Sequence, residues 1–89
     1  MSDTRADLIE FPTQFPIKIM GASHPDFAAT ILAVIQQYAA DTTAEHLHIR
    51  PSSKGNYLGA TATVYVHNQA QLDDIYRALT SHPMVKVVL

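Results

Sequence analysis

Hydrophobic and polar residues alternate in four places along this chain and recur at helical spacing in two. Phe15, Ile17 and Ile19 alternate with Pro16, Lys18 and Met20, a period of two that predicts a half-buried strand over residues 15–20. A proline near the start of a strand is tolerated, because first positions spare a ladder donor. Before it, Leu8-Ile9-Glu10-Phe11-Pro12 reads as an extended apolar arm against the domain edge. Gly21-Ala22-Ser23-His24-Pro25-Asp26 then punctuates the chain. Gly21 lets the backbone turn, Ser23 or His24 caps a helix, Pro25 suits its first position, and Asp26 suits the positive end of its dipole. Phe27, Ile31, Val34, Ile35 and Tyr38 recur three and four apart, one apolar helix face that runs out near Ala40-Asp41-Thr42-Thr43.

The second half repeats this grammar. His46-Leu47-His48-Ile49-Arg50 alternates with Leu47 and Ile49 inward. Ala60, Ala62, Val64 and Val66 alternate with Thr61, Thr63, Tyr65 and His67, the clearest strand of the chain. Asn68 and Gln71 stand at capping-box spacing, and Leu72, Ile75, Tyr76 and Leu79 form a second apolar helix face. His82-Pro83 stops that helix. Residues 84–89 form a last strand, with Val85, Val87 and Leu89 inward and Lys86 and Val88 outward. The order β-α-β-β-α-β predicts an α+β ferredoxin-like sandwich: a four-stranded antiparallel sheet, order 4-1-3-2, with two helices on one face.

Length and composition bound the rest. The chain has 89 residues, 47% of them hydrophobic and 16% charged, which fits a single domain over residues 8–89 after a disordered polar lead-in at 1–7. It has no cysteine, so disulfides and thiolate metal sites are excluded; a cytoplasmic location is expected. The apolar stretch from Phe27 to Ile35 is too short to span a bilayer. A net charge of −2 argues against non-specific nucleic-acid binding, whose affinity comes mainly from neutralised phosphates.

The candidate chemistry concentrates in Arg50-Pro51-Ser52-Ser53-Lys54-Gly55-Asn56-Tyr57. Lys54 offers a charge, Ser52 and Ser53 offer hydroxyls, and Gly55-Asn56 suits left-handed dihedrals that align backbone N–H donors. Arg50 and Tyr57 flank these groups. The set can hold an anion or meet a partner, and it is equally the chemistry of a long hairpin turn. It is not a nucleotide-binding P-loop, since no Lys-Ser/Thr pair follows the glycine and a strand follows the loop. His46 and His48 share a strand face, but His67 lies roughly 13 Å away at strand rise, so no third metal ligand reaches them. No metal and no cofactor is expected. Ser53 and Lys54 are adjacent and point apart, Asp73-Asp74 reads as a solvated helix face, and no catalytic motif is present, so no enzyme activity is expected. The open sheet face collects Lys18, Met20, His46, His48, Arg50, Thr61, Thr63, Tyr65, His67, Lys86 and Val88 without an acid. Such a face suits a protein partner or a second copy of the chain. RNA binding is the alternative, although only Tyr65 is available there to stack a base.

The 51–57 run, Leu8-Ile9-Glu10-Phe11-Pro12-Thr13, Met20-Gly21 and the ending Val87-Val88-Leu89 together resemble the YbeD-like family of small bacterial proteins of uncharacterised function. The resemblance spans residues 8–89. It implies an ACT-like version of the ferredoxin fold, and a link to lipoate attachment, because members are often encoded near lipoate-attachment genes. ACT domains bind amino acids where an Asp or Asn followed by Pro-Gly leads from first strand to first helix. Here Pro25 matches, Asp26 replaces the glycine, and Ser23 or His24 stands at the acid or amide position. Gly21, Ser23 and His24 are thus a secondary candidate site, with the Asp26 carboxylate opposing an amino acid's own. The combined reading is a small regulatory or adaptor domain. It would bind a protein partner or a small anionic ligand through the 50–57 loop and the sheet face beside it.

Overall fold

The computed structural model describes residues 9–89; the expected lead-in at 1–7 and Leu8 of the arm lie outside them. The elements are β1 (Thr13–Ala22), α1 (Phe27–Gln36), β2 (Leu47–Pro51), β3 (Tyr57–Val66), α2 (Gln69–Thr80) and β4 (Val85–Val88), with a 3-10 turn at Ala44–His46 before β2. The sheet runs β2-β3-β1-β4 with every neighbouring pair antiparallel. This is the ferredoxin-like order read from the sequence.

The core lies between the helices and one sheet face. Ile17 and Ile19 of β1, and Ala60, Ala62, Val64 and Val66 of β3, are buried there against Phe27, Ile31 and Ile35 of α1 and Leu72, Ile75 and Leu79 of α2. β1 is longer than the alternation suggested, and it carries Pro16 in the middle of the sheet. The neighbouring bonds explain why this is tolerated. Lys18 exchanges backbone hydrogen bonds with Leu89 at 2.7 and 3.4 Å. Alternation along an antiparallel ladder turns Pro16 to that same side, beyond the last paired residue of β4. Its missing N–H therefore costs no bond to β3.

Three expectations are corrected. First, Gly21 is buried inside β1 and does not have a positive φ. A Cβ there would collide with the Met84 carbonyl and the Phe27 ring, so close approach, not turning, demands glycine. Second, α1 starts later and ends earlier than expected. Asp26 is its N-cap, the His24 ring nitrogen Nδ1 accepts the Asp26 N–H at 3.0 Å, and the helix stops at Gln36. Tyr38 is consequently exposed, and Ala39 takes the buried place. The Tyr38 carbonyl instead accepts from Gln71 Nε2 at 2.7 Å. Third, β4 contains a bulge. Met20 pairs with Val87 but Gly21 pairs with Val85, which leaves Lys86 as an extra residue. An extra residue reverses the facing of everything after it. Val85 and Val88 pack on the core, while Val87 and Leu89 are 45% and 73% exposed.

α2 follows its sequence signals. Asn68 Oδ1 accepts the Gln71 N–H at 2.8 Å, and Gln71 Oε1 accepts the His67 N–H at 2.6 Å. The first satisfies an otherwise orphaned donor of the helix start; the second falls on His67, before the Asn68 cap, so the reciprocal half of the expected capping box is not made. At its far end, the Ser81 hydroxyl donates to the Arg77 carbonyl at 2.8 Å.

Candidate binding face

Strand register builds the uncovered face of the sheet row by row. One row runs Leu89, Lys18, Thr61, His48 across β4, β1, β3 and β2. The next runs Val87, Met20, Gly59, Arg50. Gly59 contributes no side chain, so the floor sinks between Met20 and Arg50. Tyr57, opposite Ala22, and Ser52 close the end nearest the hairpin. The result is an open depression of about 720 Å³. Its walls mix the apolar Met20, Val87, Leu89 and Tyr57 with the cations Lys18 and Arg50 and the imidazole of His48. Among the described residues no Asp or Glu side chain lines it.

The hairpin that joins β2 to β3 is organised by its own bonds. The Ser52 N–H donates to the Tyr57 carbonyl at 2.9 Å, the Tyr57 N–H to Ser52 Oγ at 3.1 Å, and the Gly55 N–H to the Ser52 carbonyl at 3.0 Å. Gly55 has φ of 73°, the left-handed value its position suggested, but Asn56 does not share it: no non-glycine among the described residues has a positive φ. These bonds commit the backbone donors of Ser52, Gly55 and Tyr57 to the turn. Of the sequence candidates, Arg50, Ser52 and Tyr57 line the depression. Ser53, Lys54, Gly55 and Asn56 form the exposed tip beyond it. Tyr57 belongs to β3, so the face carries a second tyrosine in addition to Tyr65.

The other candidates are placed less favourably for a ligand. Gly21 is buried with no room beside it. Ser23 is exposed, and His24 Nδ1 is engaged with the Asp26 N–H and lies 4.0 Å from the Asp26 carboxylate. The Phe27 N–H donates to the His24 carbonyl at 3.0 Å, so the Asp26 and Phe27 donors at this helix start are both taken from within. His46 does not join His48 on β2. It closes the 3-10 turn, where its Nδ1 accepts the Thr43 N–H at 3.0 Å. Among the described residues no three His, Cys, Asp or Glu side chains gather into a metal-holding group.

Sequence reasoning placed Lys18, Met20, His48 and Thr61 on this face but missed Gly59, Val87 and Leu89. The bulge at Lys86 brings Val87 and Leu89 outward, and nothing in the local pattern announces it. Leu89 is held at the rim by Lys18 and by the Tyr76 hydroxyl, which donates to the Leu89 carbonyl at 3.1 Å. Burial pushes the Tyr76 phenol above its ordinary pKa.

Residues 6–89 match a family described as a protein of unknown function, DUF493. The chain belongs to that family. A UPF0250 protein of Neisseria gonorrhoeae (strain NCCP11945) is 61% identical over 85 residues, covering 96% of this chain and 93% of the relative. A UPF0250 protein of Paraburkholderia phymatum is 60% identical over 89 residues, covering all of both chains. These relatives agree with the resemblance to uncharacterised YbeD-like proteins. Among solved structures, protein HP0495 from H. pylori superposes with a TM-score of 0.77 at 13% identity, covering 100% of this chain and 96% of that one. The C-terminal domain of the MgtC protein from Mycobacterium tuberculosis gives 0.54 at 19% identity, covering 92% and 89%. At such identities the likeness concerns the fold alone. Among the described residues no helix is long and apolar enough to cross a membrane.

Proposed function

We propose that this protein is a small non-enzymatic regulatory or adaptor module whose uncovered sheet face receives an anionic group. The observation that carries this reading is the grouping of Lys18, His48 and Arg50 around a glycine-floored depression that, among the described residues, no Asp or Glu side chain lines. Cations at the rim of a partly apolar hollow favour a carboxylate or phosphate attached to an apolar body. The 50–57 loop contributes Arg50, Ser52 and Tyr57 to the rim, and its tip is a turn. RNA is the lesser reading. β1 presents Lys18 and Met20 where an RNA-binding sheet of this topology would present a stacking aromatic.

Titration of the protein with hexanoate, followed by amide chemical shifts, tests the proposal. Shifts are expected to cluster at Lys18, Arg50, Gly59 and Tyr57, to weaken with added salt, and to vanish in Lys18→Ala/Arg50→Ala. Lys54→Ala is expected to leave them intact. Shifts confined to residues 53–56 would transfer the site to the loop tip. Salt-dependent retention of a single-stranded RNA, with no response to hexanoate, would favour the nucleic-acid reading.

A further inference from the structure

β2 is an edge strand, and among the described residues no further strand pairs with its outer edge. Edge strands are ordinarily protected by short length, charged side chains, proline, bulges or a covering element, because unpaired backbone groups recruit other chains; β2 is short and has Pro51 at its end, which leaves the edge around Ile49. β2 has no register irregularity against β3. Four of its five residues are exposed.

Which backbone groups face outward follows from the hairpin. Ser52 bonds to Tyr57 across the turn at 2.9 Å. Antiparallel ladders alternate, so Arg50 opposite Gly59 and His48 opposite Thr61 also turn their backbone groups toward β3. Leu47, Ile49 and Pro51 therefore turn theirs to the open edge. The Leu47 N–H is already bonded to the Ala44 carbonyl. Pro51 has none to offer, which is why a proline is tolerated there. Among the described residues Ile49 has no partner for its N–H or its carbonyl, and neither have the carbonyls of Leu47 and Pro51 on either side. Its side chain points to the helix side, yet it is 39% exposed. The edge thus offers one complete pairing unit with an unfinished apolar contact beside it.

Charge selects the occupant. A second copy of β2, paired antiparallel through Ile49, has three available registers. They set His48 against Arg50, His48 against His48 with Arg50 against His46, or Arg50 against Arg50. None brings an acid to these side chains. We propose that the β2 edge takes an extended segment of a partner protein as a fifth strand, one whose residues alternate acidic and apolar. Its acids fall beside His48 and Arg50 on the open face, and its apolar residues cover Ile49 on the helix side. Main-chain bonds supply the attachment and the alternating side chains the selectivity. The inference rests on the anion-receiving face proposed above, since Arg50 serves both.

The test uses the full chain and three probes: a capped peptide of alternating glutamate and valine, a peptide of the same composition with the two residue types in separate blocks, and hexanoate. The alternating peptide is expected to bind more tightly than the block peptide. At saturation it should slow exchange of the Ile49 amide by about tenfold or more, while the amides of His48 and Arg50, already in the ladder, change little. Arg50→Ala should weaken that binding. Binding of the alternating peptide without protection of Ile49 overturns the strand addition and leaves the anion-receiving face standing. So does binding of hexanoate alone. Protection of Ile49 that rises with protein concentration and no peptide assigns the edge to a second copy and also overturns the proposal. If no probe binds in a manner dependent on Lys18 or Arg50, this inference and the proposed function fall together.

Discussion

Gly21 of β1 and Phe27 of α1 approach so closely that a methyl group does not fit between them. The Met84 carbonyl closes the same space from β4. This contact fixes the start of α1 against the bulged pairing of β1 with β4. Gly21→Ala is expected to destabilise the protein by about 1–3 kcal/mol, toward the upper end because one neighbour is backbone and cannot rotate away. Urea unfolding measures it. A variant as stable as the parent would show that the strand and helix are not packed as described.

The hairpin tip separates backbone demand from side-chain demand. Gly55 has φ of 73° and nothing within 4 Å of where a Cβ would stand. Any penalty there is conformational and not steric crowding. Gly55→Val is expected to cost about 1–2 kcal/mol, and Gly55→Asn less, since asparagine tolerates left-handed dihedrals better. Lys54→Ala and Asn56→Ala should stay within about 0.5 kcal/mol of the parent. Thermal melts of the four variants check the ordering. Equal losses for Gly55→Val and Lys54→Ala would contradict it.

Tyr76 ties α2 to the rim of the sheet through its bond to the Leu89 carbonyl. Its folded pKa is raised above the ordinary 10.0 by burial, so folding favours the neutral phenol. The associated stability is fully present below the unfolded value and is lost as pH rises through the folded one. Tyr76→Phe keeps the ring and removes the hydroxyl. At neutral pH the variant should be less stable by about 0.5–1 kcal/mol. Above the ordinary tyrosine pKa the gap should narrow, because only the parent must ionise a partly buried phenol. Urea titrations of the two proteins at pH 7 and at alkaline pH give the difference directly, with the other tyrosines and the lysines cancelling. A gap that widens at alkaline pH would contradict the sign of the shift.

Most of the fold was legible because its central elements obey one period each. β3 alternates without interruption from Ala60 to Val66, and the helix faces built on Phe27, Ile31 and Ile35 and on Leu72, Ile75 and Leu79 keep helical spacing. Failures fall where tertiary contacts override a local period. Lys86 bulges because β4 must pair with Met20 and Gly21 while Met84 packs over Gly21, and the sequence of β4 alternates no differently for it. Ile49 looks like a core residue but lies on an edge strand where the helix layer leaves it exposed. The loop was legible as turn chemistry: Ser52 and Gly55 perform those roles. The depression was not, since it is assembled from four strands and depends on which residue stands opposite which.

Gly59 offers the sharpest separation of binding from folding. It lies between Met20 and Arg50 on the uncovered face, and a Cβ there would meet only the Arg50 carbonyl, at the ordinary contact distance of 3.5 Å. Glycine in a strand interior carries an entropic cost, and a β-branched residue suits a strand. Gly59→Val should therefore keep the parent's stability or raise it by up to about 1 kcal/mol. The same side chain fills the floor of the depression and parts Lys18 and Arg50 from a shared ligand. Affinity for hexanoate should fall by about tenfold or more, equivalent to about 1.4 kcal/mol. Few substitutions are expected to strengthen a fold while emptying its site, so the two measurements together are diagnostic. Melting curves and the hexanoate titration, run on one preparation, supply both. A variant that melts with the parent and binds hexanoate with the parent's affinity would place the ligand elsewhere on the sheet. A variant that unfolds would show that the glycine is required by the backbone, and that the row from Val87 to Arg50 is packed more tightly than its open floor implies.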